Sequence, residues 1–387
     1  MPAWATRGQR RALATVARAV TSGEPAHAWL IVGPPGVGKT TLATDLAAGL
    51  LCLDPDSRER PCGSCTSCMK VAHRNHPDLH RLLPEGAGRQ VRIGRPDASE
   101  PGTVRHLLHA LSLAPLEGAF RVAIVESAER LNEDSQNALL KTLEEPGPGT
   151  CLVLCAAHEE TLLPTLQSRC SRVRLGEVAS EVIEALLVEH GAADPARAAT
   201  LARLASGRPG RAVALANDPE AVIVHERLVR ELLDLAVAGR VERLTAAAGL
   251  LAAAGNLERV LDRDAATSAP DQGADDRPDQ PGEAGVTAVQ GRRSPPAARR
   301  SALLALGGIW AGVARDIALV ARGGHGGMRH PQVLEDLRPL AATLEPGAVE
   351  RFLARLDVLL SAVDENANPE LVLDVLLLEW PRPRRAA

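Results

Sequence analysis

The chain has 387 residues, which is too long for one ordinary hydrophobic core and suits two or three domains. Apolar residues make up 45% of it and aromatic residues only 2%, so we expect a folded protein whose core consists mainly of Leu, Val and Ala. The formal net charge of -4 argues against a free-standing nucleic-acid binder, because such proteins carry a basic surplus; any DNA contact should be shared with partner chains.

The start of the chain lacks the features of a signal peptide, which are a charged segment, an apolar run and a small-residue cleavage site. The most apolar stretch, Ala246–Ala254, is too short to cross a bilayer, so we expect no membrane span. These observations predict a cytoplasmic protein whose cysteines are thiols or metal ligands and not disulfides.

The first part of the chain alternates short apolar runs with amphipathic stretches, a pattern typical of an α/β fold with a parallel sheet covered on both faces. Strands are predicted at Ala28–Val32, Arg121–Val125 and Cys151–Cys155. Helices are predicted at Arg10–Val20, Thr40–Leu51, Thr103–Leu113, Asn132–Leu143 and Leu162–Gln167. The Cys-rich segment Cys52–His76 is expected to be irregular.

After about Leu175 the pattern predicts helices only. They are expected at Ser180–Gly191, Ala196–Ala205, Arg211–Asn217, Ala221–Ala238 and Val241–Ala254, and again between Ser301 and Trp380. Between them, Asp264–Arg300 is crowded with Pro, Asp, Gln and Gly and contains almost nothing apolar. Such a segment cannot bury enough surface to offset the entropy lost on ordering, so we expect a disordered insert.

A phosphate-binding loop is predicted directly after the first strand. The residues Gly33-Pro34-Pro35-Gly36-Val37-Gly38-Lys39-Thr40 match the pattern G-x-x-x-x-G-K-[ST], with an apolar strand before it and a helix after it. The glycines let backbone N–H groups point at phosphates, and the helix N-terminus adds positive potential. We expect Lys39 to reach the outer phosphates of ATP or ADP and Thr40 to bind Mg²⁺.

The other half of an ATPase site is usually a strand that ends in Asp-Glu, where Asp serves Mg²⁺ and Glu polarises the attacking water. Here the second strand is followed by Glu126 and Ser127. Glu126 could serve the metal with one methylene more, but Ser127 cannot act as a base; Glu129 is a competing candidate for that role. The third strand ends in Cys155-Ala156-Ala157, without a polar residue that could sense a γ-phosphate. We therefore expect nucleotide binding with little hydrolysis.

Four of the seven cysteines, Cys52, Cys62, Cys65 and Cys68, have a spacing that lets a chain wrap tetrahedrally around one ion. Four thiolates form a closed structural Zn²⁺ site. A redox pair and an iron–sulfur cluster remain alternatives. His73, His76 and His80 lie nearby in sequence, but we expect them to be ordinary surface or capping residues, and Cys151 and Cys155 to be core residues.

The motifs together resemble the AAA+ subunits of bacterial DNA polymerase III clamp loaders, the family of the delta-prime and tau/gamma subunits. The resemblance is dense over roughly residues 1–215 and rests on five segments: Gly33–Thr41, the cysteine array, Asn75–Asp78, Ala138–Pro146 and Ser168–Cys170. It implies that Thr41 also belongs to the nucleotide site and that Arg169 reaches ATP held by a neighbouring subunit. It also implies that Arg211, with Arg208 as competitor, is a second sensor on a small helical domain. The alternative for Arg169 is a local surface salt bridge.

Within this family, Glu126-Ser127, Ala156-Ala157, the lack of a long extension and the Ala3-Trp4 segment favour delta-prime over tau/gamma. The resemblance implies an AAA+ domain at 1–175, a helical lid at 176–218 and a helical collar at 219–387 that contains the insert 264–300. It also implies a ring with tau/gamma and delta subunits that places a sliding clamp on primed DNA. We see no cluster of carboxylates for polymerase or exonuclease chemistry. An active tau/gamma-like motor and a stand-alone zinc-containing switch in DNA repair remain alternatives.

Overall fold

The computed structural model describes residues 2–84, 91–267, 296–364 and 367–383. The chain divides into two compact units, Met1–Ala212 and Val213–Ala387. The predicted division into three domains, with a lid of its own at 176–218, stays a proposal.

The first unit is built on a five-stranded parallel sheet, which places the chain in the α/β class, whereas the AAA+ subclass stays a proposal. Its strands are β1 (Ala28–Val32), β2 (Leu79–Leu82), β3 (Arg121–Val125), β4 (Thr150–Ala156) and β5 (Ser171–Arg174), in the order β2-β3-β4-β1-β5. Its first helices are α1 (Arg10–Ser22), α2 (Lys39–Leu51), α3 (Thr66–Ala72), α4 (Val104–Ser112), α5 (Glu133–Glu144) and α6 (Pro164–Gln167). The predicted α/β architecture is confirmed.

Two strands and one helix were not predicted. The three predicted strands are the central ones and are almost entirely buried, whereas β2 and β5 form the edges of the sheet; β5 carries two exposed arginines and β2 a partly buried one. An edge strand needs fewer apolar residues, so its pattern is weaker. The expectation of an irregular Cys52–His76 is wrong at α3, whose start is capped by the Cys65 side chain accepting the Cys68 N–H.

Alternate residues of the central strands pack on opposite faces of the sheet, as the period of two dictates. In β1, Trp29 and Ile31 belong to one core, with α1 and α2, while Ala28 and Leu30 belong to the other, with α4 and α5. Both faces are therefore covered, which explains why these strands read as continuous apolar runs.

The rest of the described chain is helical, as predicted. The helices are α7 (Ser180–Glu189), α8 (Pro195–Leu204), α9 (Pro209–Asn217), α10 (Pro219–Val237), α11 (Arg240–Thr267), α12 (Pro296–Ala321), α13 (Leu334–Thr343), α14 (Ala348–Asp364) and α15 (Pro369–Glu379). The helix α9 contains the boundary between the two units.

The insert predicted at 264–300 is shorter than expected at both ends. The helix α11 continues to Thr267 and α12 begins at Pro296, so the outer residues of that range are helical. Residues 268–295 lie outside the described part of the chain.

The helix α12 is longer and more apolar than Ala246–Ala254, the only stretch that was considered as a membrane span. Within α12, Ala298–Ala321 contains a window of 18 residues with a mean hydropathy of 1.6, so this helix could cross a membrane by length and composition alone. Of that window, 67% is buried inside the fold, which is typical of the core helix of a folded protein. This helix was not among the expected candidate spans.

The core of the second unit is formed around α12. Trp310, Phe352 and Trp380 pack with ring centroids 4.7–5.5 Å apart. The fully buried Arg243 donates to the carbonyl oxygens of Leu377 and Trp380, at 3.0 and 2.6 Å, among others. A buried guanidinium needs such acceptors to offset its lost hydration, so Arg243 fastens α11 to the end of α15.

Candidate functional site

The phosphate-loop segment has the backbone that its glycines predict. Gly36 and Gly38 adopt left-handed conformations, with φ of 79° and 100°, which residues with a Cβ rarely adopt. Gly33 needs its small size for another reason, since a Cβ there would lie 2.5 Å from the Leu175 carbonyl oxygen. Gly38 is the residue that precedes α2, and no side chain caps this helix N-terminus. Its first N–H groups can therefore bind an anion.

Lys39 is the first residue of α2 and is folded back over the loop. Its Nζ donates to the carbonyl oxygens of Gly33 at 2.5 Å and Pro34 at 3.0 Å. Burial lowers the pKa of Lys39 from its usual value, while the charge of Glu129 raises this pKa and the charge of Arg208 lowers it. The cation is thus held at the loop, where phosphate oxygens could replace the two carbonyl oxygens.

Glu126 follows β3, beside the loop, as predicted. Its Oε2 accepts from Thr40 Oγ1 at 3.4 Å, which brings together the two residues predicted to serve Mg²⁺. Its Oε1 is bound by the guanidinium of Arg81, whose Nε lies 3.1 Å away and whose Nη2 forms an ion pair with it. Arg81 was not predicted, because it lies on the edge strand β2.

Ser127 has a left-handed backbone with φ of 56°, and the chain then forms a 3-10 turn at Ala128–Arg130. This turn directs Glu129 toward the end of β4, where its Oε2 accepts the Ala157 N–H at 3.2 Å. Glu129, the candidate substitute base, lies close enough to Lys39 for its charge to raise the pKa of that lysine. Ala156 and Ala157 themselves contribute no polar side chain there.

The segment Gly207–Arg211 contacts the phosphate loop within the first unit. The Gly210 N–H donates to the Gly36 carbonyl oxygen at 3.1 Å. A Cβ placed on Gly36 would lie 3.4 Å from the Arg208 Cβ and 3.8 Å from the Arg211 backbone N. Both arginines that were candidates for the second sensor are therefore near the loop, and the charge of Arg208 already acts on Lys39.

The four predicted metal ligands lie together. The Sγ atoms of Cys52, Cys62, Cys65 and Cys68 are all within 4.8 Å of one another. Tetrahedral Zn²⁺ with bonds of about 2.3 Å places its sulfur ligands about 3.8 Å apart, and Cys52 Sγ and Cys65 Sγ are separated by 3.9 Å. The cluster therefore has the composition and nearly the spacing of a closed zinc site.

Backbone N–H groups point at these sulfurs. Cys52 Sγ accepts from the N–H groups of Asp54 and Cys62, and Cys62 Sγ accepts from that of Cys65, at 3.4–3.5 Å. Hydrogen bonds from the Ser64 and Cys65 N–H groups lower the pKa of Cys62 to about 6, whereas burial raises the pKa of Cys52 and of Cys68. Donors of this kind stabilise thiolates and orient them for a metal ion.

Two of the other cysteines and two of the nearby histidines are partly or fully buried. Cys151 and Cys155 are buried in β4, and burial raises the pKa of each thiol to about 12, as expected for core residues. His76 is buried and its Nδ1 accepts the Asp78 N–H at 3.0 Å, and burial lowers its pKa. Burial also lowers the pKa of His80.

Asp78, at the end of the segment Asn75–Asp78, holds the loop that precedes β3. The carboxylate is fully buried, accepts the N–H groups of Leu116 and Glu117 at 2.7 and 2.8 Å, and forms an ion pair with Arg121 at 3.2 Å. Arg121 also donates to the carbonyl oxygens of Ala110 and Ala114. This motif is therefore a structural element that fixes the start of β3.

Arg169 lies in the turn between α6 and β5, with 36% of its side chain exposed. Its Nη2 pairs with Glu144 Oε1 at 2.8 Å and its Nη1 donates to the Thr165 carbonyl oxygen at 2.8 Å. In the isolated chain Arg169 thus makes the local salt bridge that was the alternative to a trans-acting role. These contacts also hold the guanidinium at the surface in one place.

Comparison with known proteins finds similarity to the family that the sequence motifs resemble. Residues 8–179 match the family model described as DNA polymerase III, delta subunit. The chain is 40% identical over 145 residues to DNA polymerase III subunit delta′ of Pseudomonas aeruginosa, a match that covers 38% of this chain and 42% of the relative. It is 32% identical over 215 residues to subunit tau of Escherichia coli strain K12, a match that covers 54% of this chain and 32% of the relative. It is 30% identical over 181 residues to subunit delta′ of Bacillus subtilis, which covers 47% of this chain and 51% of the relative.

Among solved structures, a DNA polymerase III gamma-subunit-related protein from Thermotoga maritima matches over 95% of this chain and 98% of its own. Its identity is 17% and its TM-score 0.41. The chain spans 32–51% of the length of the three curated relatives above. The matched part of the chain is thus similar to the delta′ and tau clamp-loader subunits of bacterial DNA polymerase III.

Proposed function

We propose that this chain is a delta-prime-type stator of the clamp loader, which holds a nucleotide, hydrolyses it poorly and lends an arginine to a neighbouring subunit. The observation that carries this proposal is the pairing of a complete phosphate loop with Ser127 in place of the usual carboxylate. The left-handed backbone at Ser127 supports it, because the turn that follows commits Glu129 to the Ala157 N–H. A carboxylate bound there is a poor base for an attacking water.

The proposed nucleotide is ATP or ADP, bound by the loop residues of Gly33–Thr41 with Lys39 on the outer phosphates. The uncapped N-terminus of α2 supports this role. The contact between Gly36 and Gly210 supports a sensor role for the Gly207–Arg211 segment, with Arg211 and Arg208 as its candidates. We propose that the four-cysteine cluster binds Zn²⁺, which would hold together the segment that connects α2 to β2.

The proposed trans-acting group is Arg169. A guanidinium stays charged and can form two hydrogen bonds with phosphate oxygens, and Arg169 is exposed and positioned by Thr165 and Glu144. The proposed partners are tau/gamma and delta subunits, with the sliding clamp and primed DNA reached through the assembled complex. We propose the helices of 219–387 as the collar, and a cytoplasmic location follows from this role.

A tau/gamma-like motor is the second candidate, and the match to subunit tau over 215 residues favours it. The two candidates differ in what the purified chain does with ATP. A stator binds a fluorescent ADP analogue but shows no steady-state ATP turnover above that of a Lys39→Ala control. Brisk turnover by the isolated chain would establish the motor and refute the stator.

Assembly is tested separately by size-exclusion chromatography of this chain mixed with delta and tau/gamma proteins. A stator elutes with them in one complex, and leaving it out abolishes clamp loading on primed DNA. Separate elution would instead favour a stand-alone switch.

A further inference from the structure

We propose that Arg81 takes the place of Mg²⁺ in the nucleotide pocket, so that this chain binds ADP or ATP without needing a divalent cation. The inference rests on the proposed nucleotide site and goes beyond it, because it assigns an unpredicted residue to the role predicted for a metal.

The geometry that carries it is the environment of Glu126. Arg81 precedes the last residue of β2 and lies opposite Ile124 of β3, so its side chain lies beside the residue that follows β3. Its Nε and Nη2 both bind Glu126 Oε1, and the two side chains are only 12% and 19% exposed. Thr40 Oγ1 lies 3.4 Å from the other oxygen. The two groups predicted to serve Mg²⁺ therefore contact each other and a cation.

This arrangement does not fit Mg²⁺. The ion requires a nearly octahedral shell of oxygens and retains several waters, and Glu126 offers it only Oε2, because Oε1 is bound to Arg81. The guanidinium on Oε1 would then lie a few ångströms from a divalent ion on Oε2, at a separation where like charges repel strongly in a partly buried site. Separating a buried ion pair is itself costly.

Arg81 can instead supply what the ion would supply to a nucleotide, which is positive charge at the phosphates. A guanidinium binds phosphate oxygens through two parallel hydrogen bonds. A second cation, Arg74, lies close by: burial lowers its pKa, and the charges of Arg81 and Glu126 act on that pKa in opposite directions.

The sequence detail that was unexplained at this position now has a physical reason. The usual residue after this strand is Asp, and Glu126 is one methylene longer. The longer side chain reaches both the guanidinium on the neighbouring edge strand and the Thr40 hydroxyl. An Asp would place its carboxylate closer to its own strand and to the position that a metal ion takes.

The test measures binding of a fluorescent ADP analogue to the full-length chain, with millimolar Mg²⁺ or in buffer stripped of divalent ions beforehand. No chelator is added, so that the cysteine cluster keeps its metal. We expect the wild-type Kd to change by less than about threefold between the two buffers. Arg81→Gln should bind at least about tenfold more weakly without Mg²⁺ and recover when Mg²⁺ is added.

The control is Arg92→Gln, which removes an exposed ion pair with Glu100 and should behave like the wild type. A wild-type Kd that rises tenfold on removal of Mg²⁺, or an Arg81→Gln chain with the wild-type response, would overturn the inference. Should Arg81→Gln fail to fold, the wild-type measurement decides alone. Absence of binding in both buffers would refute the nucleotide site itself, whereas binding that requires Mg²⁺ refutes only the role of Arg81.

Discussion

Replacing Arg169 by alanine separates its local role from its proposed role in trans. In the isolated chain the side chain makes one exposed ion pair with Glu144, at exposures of 36% and 52%, and one hydrogen bond to the Thr165 carbonyl oxygen. An exposed ion pair contributes about 0.2–1 kcal/mol, and a hydrogen bond from a charged group at a surface adds about 1 kcal/mol. We therefore expect Arg169→Ala to lower the free energy of unfolding by about 1–2 kcal/mol, which is a few degrees in Tm.

The expected effect on the assembled loader is much larger. An arginine that reaches ATP in a neighbouring subunit accelerates hydrolysis by about 10³–10⁵, equivalent to about 4–7 kcal/mol in the activation barrier. The local contacts of Arg169 cannot account for such a loss. Stability and catalysis therefore report on two different roles of the same side chain.

The assay is single-turnover ATP hydrolysis by the reconstituted loader. We expect Arg169→Ala to remove the kinetic phase that comes from ATP bound to the neighbouring subunit. Glu144→Gln is the matched control, because it breaks the same local ion pair and retains the guanidinium. It should show a similar or smaller loss of stability with normal hydrolysis. Unchanged hydrolysis with Arg169→Ala, or an equal loss with Glu144→Gln, would refute the proposed action in trans.

Three further predictions address the metal site and the fold. Metal analysis should find about one zinc per chain, and Cys65→Ser should lose it and become more sensitive to proteolysis; iron in its place would refute the zinc assignment. Because burial lowers the pKa of His76 and of His80 below 6.5, the folded state takes up protons less readily. The free energy of unfolding should thus fall below pH 6.5, by up to about 1.4 kcal/mol per pH unit for each histidine, and denaturant titrations of His80→Gln should show a shallower fall. Arg121→Met should cost about 3–5 kcal/mol in the same titrations, because it leaves the Asp78 carboxylate buried without its cation.

How much of the sheet could be predicted depended on where each strand lies in it. The bounds of β1 and β3 match the prediction residue for residue, because strands buried on both faces are continuous apolar runs. The edge strands β2 and β5 have the sequences LHRL and SRVR, which lack such a run. Their pairing depends on tertiary contacts with β3 and β1, which no local pattern reveals.

The candidate site shows the same division. The phosphate loop and the four cysteines were predictable because each function requires closely spaced residues of fixed type. Arg81 was not, since it is 45 residues from Glu126 in sequence and meets it only through the pairing of β2 with β3. Glu129 could be predicted as a candidate base from its position in the sequence. The direction of its side chain could not, because it depends on the left-handed conformation of Ser127.

The phosphate loop also has a structural role, which gives a reason for a complete loop in a chain that we propose to hydrolyse ATP poorly. Gly36 accepts the Gly210 N–H, and Gly33 lies where a Cβ would meet the Leu175 carbonyl oxygen. The loop thus connects β1 and α2 to two segments that follow the sheet, and the Lys39 cation lies within the same set of contacts. Loss of the loop would remove these contacts. By contrast, a serine at position 127 in place of the usual catalytic carboxylate removes only the capacity for ATP hydrolysis. A stator can therefore dispense with hydrolysis and still need the loop, and a nucleotide bound there would act as part of the fold.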